Sequence, residues 1–150
     1  MSDCIIREAA EGDYADIQSL SDHCLGYDYD REKTRERLIY IMDVLGGHHK
    51  IYVAEIGGKI VGYIHACDYD LLYHDSMKNI LGIAVREDAR RQGVGRALLE
   101  AVERWAKDTG SAGIRLVSGA RRTEAHEFYR ACGYTENKFQ LNLSKMFEEA

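Results

Sequence analysis

The chain has 150 residues, no proline, four cysteines and a net charge of −5, a length that makes one domain burying roughly 68–70% of the surface an extended chain exposes. Cys4, Cys24, Cys67 and Cys132 are scattered, with no Cys-x-x-Cys pair and no His at metal-ligand spacing; this excludes a disulfide framework and a structural metal site, and reads as reduced thiols of a cytoplasmic protein. The acidic Asp3 and the lack of a long apolar run argue against a signal peptide or membrane span, and the lack of proline or Ser/Gly-rich stretches argues against a linker, so residues 1–150 are expected to form a single domain.

In chain order, Cys4 to Arg7 reads as a short strand, and Asp13 as the N-cap of a helix with Ile17, Leu20 and Cys24 on one side. Arg31 to Leu45 reads as a second helix, with Leu38, Ile41, Met42 and Leu45 on one face and Gly46-Gly47 ending it. Lys50 to Ile56 and Lys59 to Asp68 are strands joined by Gly57-Gly58, a hairpin signal because both loop positions must accept positive φ. Asn79 to Val85 is an apolar strand. Gly95, Leu98, Leu99, Val102, Trp105 and Ala106 form a helical stripe that stops at Gly110. A strand from Gly113 to Ser118, a helix from Thr123 to Ala131 and an alternating strand through Phe139, Leu141 and Leu143 complete a mixed α/β pattern without internal repeats.

Between the strand ending at Val85 and the following helix lies the most informative stretch, Arg86-Glu87-Asp88-Ala89-Arg90-Arg91-Gln92-Gly93-Val94-Gly95-Arg96. Two glycines in three residues let backbone approach a ligand closely, and the first N–H groups of the helix have no internal acceptors. Arg86, Arg90, Arg91 and Arg96 add full charges to the positive end of the helix, so the turn is suited to phosphate. It is not a P-loop, because no Gly-Lys-Ser/Thr follows. Nor is it a dinucleotide fingerprint, because Leu98 stands where a third glycine belongs.

Charge follows the same division. Residues 1–85 carry 15 acidic against 8 basic side chains, residues 86–122 carry 5 against 9, and residues 123–150 carry 5 against 3. A basic middle on an acidic chain suits an anionic cosubstrate, whereas the acidic first half favours a cationic partner and repels nucleic acid.

The arrangement Arg90-x-x-Gly93-x-Gly95 resembles the pyrophosphate-binding signature of the GNAT superfamily, the acetyl-CoA-dependent N-acetyltransferases. The resemblance extends from Ile51 through Tyr134 and includes Thr123-Glu-Ala-His-Glu-Phe-Tyr-Arg-Ala-Cys-Gly-Tyr134, which is similar to the family's final helix and the turn after it. It implies a central mixed, mostly antiparallel sheet, flanked by helices, whose fourth and fifth strands splay apart. The arm of acetyl-CoA is then expected beside Ile83, Ala84 and Val85, and its diphosphate on Arg90, Arg91, Gln92, Gly93, Val94, Gly95 and Arg96. An amide near Ile83 or Ala84 is expected to hold the thioester oxygen, Phe128 to touch the cosubstrate, and Tyr129 to act as general acid toward the departing thiolate.

A phenol with an ordinary pKa near 10 is a competent donor at neutral pH. No base stands out; Tyr63, His65, Asp68, His74 and Asp75 are candidates, the last two expected in the loop before the fourth strand. His65 alternates with Val61 and Tyr63, as a half-buried strand residue does, and water can serve instead. His126 and His48-His49 read as surface or structural residues. Arg122 stands where many relatives carry Asn, which leaves that residue's bond to the cosubstrate in question and offers a phosphate contact in its place. Three functions follow from these features. The first is acetylation of a small primary amine, recognised by carboxylates such as Asp28, Asp30, Asp68 and Asp75; the second is acetylation of a protein or peptide; the third is a non-catalytic acyl-CoA-binding module. No metal is implied, and a homodimer through a C-terminal edge strand is conceivable.

Overall fold

The computed structural model describes residues 3–148, and the chain divides into two compact units, 1–117 and 118–150. In the first, β1 (Cys4–Glu8), α1 (Tyr14–Leu25) and α2 (Arg31–Asp43) precede β2 (His49–Ile56), β3 (Lys59–Leu71) and β4 (His74–Val85). α3 (Val94–Asp108) and β5 (Ile114–Leu116) follow. The second unit contains α4 (Thr123–Ala131). The sheet order is β1-β2-β3-β4-β5; the first three pairs are antiparallel and the β4/β5 pair is parallel. This is the expected mixed, mostly antiparallel sheet flanked by helices.

Local chemistry explains most of the boundaries. Gly57 and Gly58 take φ of 58° and 79°, the left-handed pair that a two-residue hairpin requires. Asp13 stands at the start of α1 but makes no side-chain cap there. Its carboxylate instead accepts from the Ala10 N–H at 2.7 Å and from both terminal nitrogens of Arg7 at 2.8 and 3.0 Å. Burial works to raise the Asp13 pKa, but these partners outweigh it and hold the carboxyl below its usual range. α2 is capped by Asp30, which accepts from Lys33 N–H at 2.9 Å, and it stops two residues before the expected Leu45.

The hairpin of β3 and β4 is longer than periodicity indicates. His74 and Asp75, expected in a loop, open β4, with Leu71 paired to His74. Cross-strand pairing extends a two-residue turn at Leu72-Tyr73 that has no glycine to announce it. β5 is shorter than the expected Gly113–Ser118, because only Ile114, Arg115 and Leu116 lie opposite β4.

The larger correction is at the end of the chain. Phe139, Leu141 and Leu143 do not form a strand; they lie in extended, unpaired backbone with 92%, 85% and 83% of their surface exposed. Alternation specifies which face a strand buries, but a strand exists only where another edge accepts its hydrogen bonds, and none does so among the described residues.

The core lies on both faces of the sheet. Ile17, Leu20 and Leu38 of α1 and α2 pack with Val53, Ile60, Tyr63 and Ala84 on one face. α3 buries Leu98, Leu99, Val102, Trp105 and Ala106 on its inward side. At Gly62 the approach is close, since a Cβ would stand 3.0 Å from the Ala84 carbonyl oxygen and 3.3 Å from Leu98 Cδ1. Gly62→Ala is therefore expected to destabilise the fold by about 1–3 kcal/mol, read as a lower urea midpoint at unchanged m-value.

Candidate functional site

β4 and β5 are in register only at Lys78–Ile114, Asn79–Arg115 and Ile80–Leu116. Beyond Ile80, β4 continues for five residues to Val85 with β3 on one side and no strand on the other. The pairing to β3 skips a residue between Ile80 and Gly82, so Leu81 forms a bulge at the point where the gap opens. Among the described residues this is the splay of the fourth and fifth strands.

The direction of each backbone group in the gap follows from the ladder. Arg86 N–H donates to Val61 O at 2.7 Å, so Ala84, two residues earlier and opposite Tyr63, directs its own N–H and C=O toward β3. Ile83 and Val85 direct theirs into the gap. Consistent with this, Val85 O accepts from outside the ladder, from Arg90 Nε at 3.1 Å and Cys24 Sγ at 3.4 Å. Of the two amides expected at the thioester oxygen, that of Ile83 has the required direction and that of Ala84 is committed to the sheet; Ala84 contributes instead as a core residue, 3% exposed.

At the mouth of the gap the chain turns through Glu87–Ala89 into Arg90-Arg91-Gln92-Gly93. Arg91 has φ 65° and Gly93 has φ 80°, and Val94 begins α3. Left-handed residues immediately before a helix turn backbone N–H groups outward beside the positive helix end, an arrangement suited to an anion. Arg91 is the only non-glycine with positive φ among the described residues, a backbone cost retained at this turn. A Cβ on Gly93 would meet no atom within 4 Å, so the space before the turn is open. Gln92 Nε2 donates to Asp88 O at 3.4 Å, Arg86 Nε pairs with Asp88 Oδ1 at 2.5 Å, and the Gly95 N–H belongs to the first turn of α3. Arg91 and Arg96 are exposed. The groups present therefore fit a diphosphate at the turn, with an extended arm along Ile83 and Val85.

The connection between α1 and α2 borders the same stretch. Leu25 Cδ1 would lie 3.8 Å from a Cβ on Gly82, and buried Gln18 fixes the loop by donating to Tyr29 O at 3.0 Å. Tyr27, Asp28 and Tyr29 are exposed there, the two rings at 68% and 47%. The four carboxylates expected to hold an amine are not brought together. Asp30 caps α2, Asp68 is bound to Lys78 and His48, Asp75 is at the far end of β4, and Asp28 is exposed in the connection between α1 and α2.

In the second unit, α4 has Arg122 at its N-cap position and carries Phe128 and Tyr129 near its end. Tyr129 is 8% exposed, with Phe128 and Tyr134 at ring-centroid distances of 5.4 and 6.1 Å. Burial pushes its phenol pKa up, the Arg122 charge opposes this, and Cys132 adds to the rise. The hydroxyl therefore keeps its proton at neutral pH. The side-chain oxygen of Ser118, at the start of this unit, is buried without a hydrogen-bond partner.

The candidate bases have other commitments. Tyr63 shares a 2.7 Å hydrogen bond with Ser21, and burial raises its pKa against that bond. His74 Nδ1 bonds Asp75 O at 2.8 Å and the ring stacks on Tyr69. Burial works to raise the Asp68 pKa, but hydrogen bonds from Lys78 and His48 outweigh it and hold the carboxyl below its usual range. His65 Nε2 lies 2.9 Å from His49 Nδ1, and burial, with His49 adding, lowers its pKa to about 4. An imidazole that weak binds a proton far less tightly than an alkylamine does, so the half-buried strand reading of His65 is the one this geometry supports.

That shift has a measurable sign. Between pH 6.5 and about 4 the unfolded chain protonates His65 and the folded chain does not, so stability is full above this window and is lost as pH falls through it. The loss attributable to His65 reaches about 3 kcal/mol. His65→Gln is expected to flatten this part of the stability profile, measured by urea unfolding at successive pH values. The lowered carboxyls of Asp13 and Asp68 act below this window, beneath the usual carboxylate range.

A second network, built on a buried lysine, escaped sequence reasoning. Lys78, 5% exposed within β4, places Nζ 2.6 Å from Asp68 Oδ1 and 4.3 Å from the Trp105 ring centroid, while His48 Nδ1 lies 2.8 Å from Asp68 Oδ2. The only available signal was one lysine in an apolar strand. Two clefts of about 270 and 230 Å³ flank Trp105, and neither includes the gap stretch of β4.

A sheet opened between parallel strands, with a left-handed turn and helix N-terminus at the mouth, defines a class of α/β folds that receive an extended, phosphate-bearing ligand along a strand edge. Residues 47–136 match the family model of the acetyltransferase (GNAT) domain. The chain belongs to the GNAT acetyltransferase family, whose cosubstrate is acetyl-CoA.

Among curated relatives, an uncharacterised N-acetyltransferase of Methanocaldococcus jannaschii is 31% identical over 90 residues, covering 58% of this chain and 39% of that protein. The aminoalkylphosphonate N-acetyltransferase of Salmonella typhimurium is 26% identical over 139 residues, covering 92% and 89%. A crystal structure of the aminoglycoside N-acetyltransferase AAC(6')-Iy in complex with CoA has the same fold, with TM-score 0.86 at 19% identity and coverage of 97% and 96%. The matched segments span about 40% of the length of the first curated relatives. No helix among the described residues is long and apolar enough to cross a membrane, and no group of three or more metal-ligating side chains occurs among them.

Proposed function

We propose that this chain, acting as one domain over residues 1–150, transfers an acetyl group from acetyl-CoA to the primary amine of a small cationic metabolite or antibiotic by direct attack in a ternary complex. The observation that carries this reading is the open edge of β4 at Ile83 and Val85, running into the left-handed Arg91–Gly93 turn. Acetyl-CoA supplies the activated acyl carbon and a thiolate leaving group. Arg91, Gln92, Gly93, Val94, Gly95 and Arg96 bind the diphosphate through backbone N–H groups and charge, with Arg90 bracing the turn against Val85 and Arg122 contributing a further cation. The Ile83 N–H stabilises the acyl oxygen as negative charge grows on it. Phe128 packs against the arm, and the Tyr129 hydroxyl donates its proton to the leaving sulfur.

Asp28, with Tyr27 and Tyr29, is the acceptor-side group best suited to attract an amine, since a carboxylate flanked by aromatic faces favours a cation. The amine gives its proton to water, because each protein base nearby is held in another bond or has too low a pKa. The exposed loop and the acidic first half support a soluble cationic acceptor over nucleic acid, and the reaction suits the cytoplasm, where acetyl-CoA is made. The test is release of free CoA over a panel of aminoglycosides, polyamines, amino acids, aminoalkylphosphonates and N-terminal peptides. Turnover confined to small polyamines and aminoglycosides supports the reading; turnover only with peptides, or none with any amine, overturns it.

A further inference from the structure

Tyr63 carries a lone pair that no group among the described residues uses. It lies on β3 opposite Ala84 of β4 and packs with Ile17, Leu20 and Val53 on the face that α1 and α2 cover. The ring reaches as far as Gly82, where a Cβ would stand 3.9 Å from Tyr63 Oη and 3.8 Å from Cδ1 of Leu25, the last residue of α1. No other atom outside the adjoining residues comes within 4 Å of that point. The space over Gly82 is therefore open, bounded by a phenol oxygen and an apolar side chain, and it adjoins the peptide whose N–H, that of Ile83, points into the gap.

The placing of two protons decides what the phenol oxygen can do. Ser21 Oγ donates its one proton to Ile17 O at 2.8 Å, so in the 2.7 Å contact between Ser21 and Tyr63 the phenol is the donor. Burial pushes the phenol pKa up, against the Ser21 bond and with Cys24 and Tyr27 adding to the rise, so the group stays neutral and keeps that proton. Toward Gly82 the oxygen then presents lone pairs alone. It accepts a hydrogen bond there and donates none.

A primary amine on a methylene matches this place. One N–H donates to Oη, the methylene meets Leu25, and the nitrogen lone pair is left free to attack. We propose that Tyr63 Oη receives an N–H of the acceptor amine over Gly82 and so turns its lone pair toward the acyl carbon held at the Ile83 N–H, with the bare Gly82 keeping the place open. This rests on the acetyl-transfer reading and deepens it. Tyr63 orients the amine and takes no proton from it, which agrees with a proton released to water. Asp28, three residues beyond Leu25, lies on the connection that follows α1.

The probes are spermidine and kanamycin A, both ending in a primary amine on a methylene, titrated by calorimetry into the chain in excess CoA. Tyr63→Phe, which leaves the Ser21 bond to Ile17 intact, is expected to weaken both by about tenfold or more, the range of a hydrogen bond to a charged group. Acetyl-CoA affinity is expected to stay within about twofold, and kcat/KM for the amine to fall equally at every pH, since the phenol exchanges no proton. Gly82→Val keeps the phenol and fills the space, and is expected to lose amine affinity as well. Unchanged amine affinity in either variant, folded by its urea transition, overturns the proposal and leaves Tyr63 a packing role. Failure of both amines to bind the unmodified chain overturns it too. Amine binding that Tyr63→Phe weakens supports it even where the unmodified chain releases no CoA from acetyl-CoA, a result that removes the transfer reading alone.

Discussion

Gly93→Val is expected to weaken acetyl-CoA binding at least tenfold, measured by titration calorimetry, while the chain remains folded. Two effects combine. At φ 80° an L side chain is strained, by about 1–2 kcal/mol for the left-handed conformation, so the turn that aligns the N–H groups relaxes. The added carbons also project into open space in front of the turn, where no protein atom lies within 4 Å of a Cβ. Because a Cβ at this position meets no atom within 4 Å, global stability is expected to fall mainly by the backbone term. An affinity change of tenfold or more, about 1.4 kcal/mol, then reports on ligand occupancy of that space. An unchanged affinity in a folded variant places the diphosphate elsewhere.

Tyr129→Phe is expected to lower kcat by about 10²-fold or more with acetyl-CoA affinity nearly unchanged, the range that general acids contribute. The phenol is buried among aromatic rings and its pKa is pushed up, so it remains a donor across neutral pH, and the loss is expected to be flat between pH 6 and pH 9. The loss is also expected to depend on the leaving group, since a donor to sulfur matters less when the thiol is more acidic. An unaltered rate with a good amine acceptor removes Tyr129 from the acid role. Loss of cosubstrate affinity to the same degree as kcat assigns it to binding.

Much of this architecture is legible in the residues, for identifiable reasons. Gly57-Gly58, Gly93 and Gly110 each occupy a left-handed position, and such positions punctuate a sequence clearly because so few residues tolerate them. The stripe of α3 is equally clear, since Leu98, Leu99, Val102, Trp105 and Ala106 are all buried. Features that depend on a distant partner are hidden. The extension of β4 to His74 depends on β3 lying opposite, and the orientation of Ala84 into the ladder depends on register, which composition does not report. The same limit explains the C-terminal segment, where alternation is present and no strand pairing occurs among the described residues. Asp68 reads as a free carboxylate in sequence because Lys78 and His48, ten and twenty positions away, are brought to it only by the sheet.

The placement of Trp105 gives the protein a built-in optical reporter. It is the chain's single tryptophan, 9% exposed, near the C-terminal end of α3 with the Lys78 ammonium over its ring, while the Arg91–Gly93 turn feeds the opposite end of the same helix. Its emission therefore registers whether α3 is seated on the sheet, and Gly93 lies more than two helical turns away from the indole in sequence. Fluorescence during denaturation thus separates a variant that has lost its ligand from one that has lost its fold, without a dye or an added label.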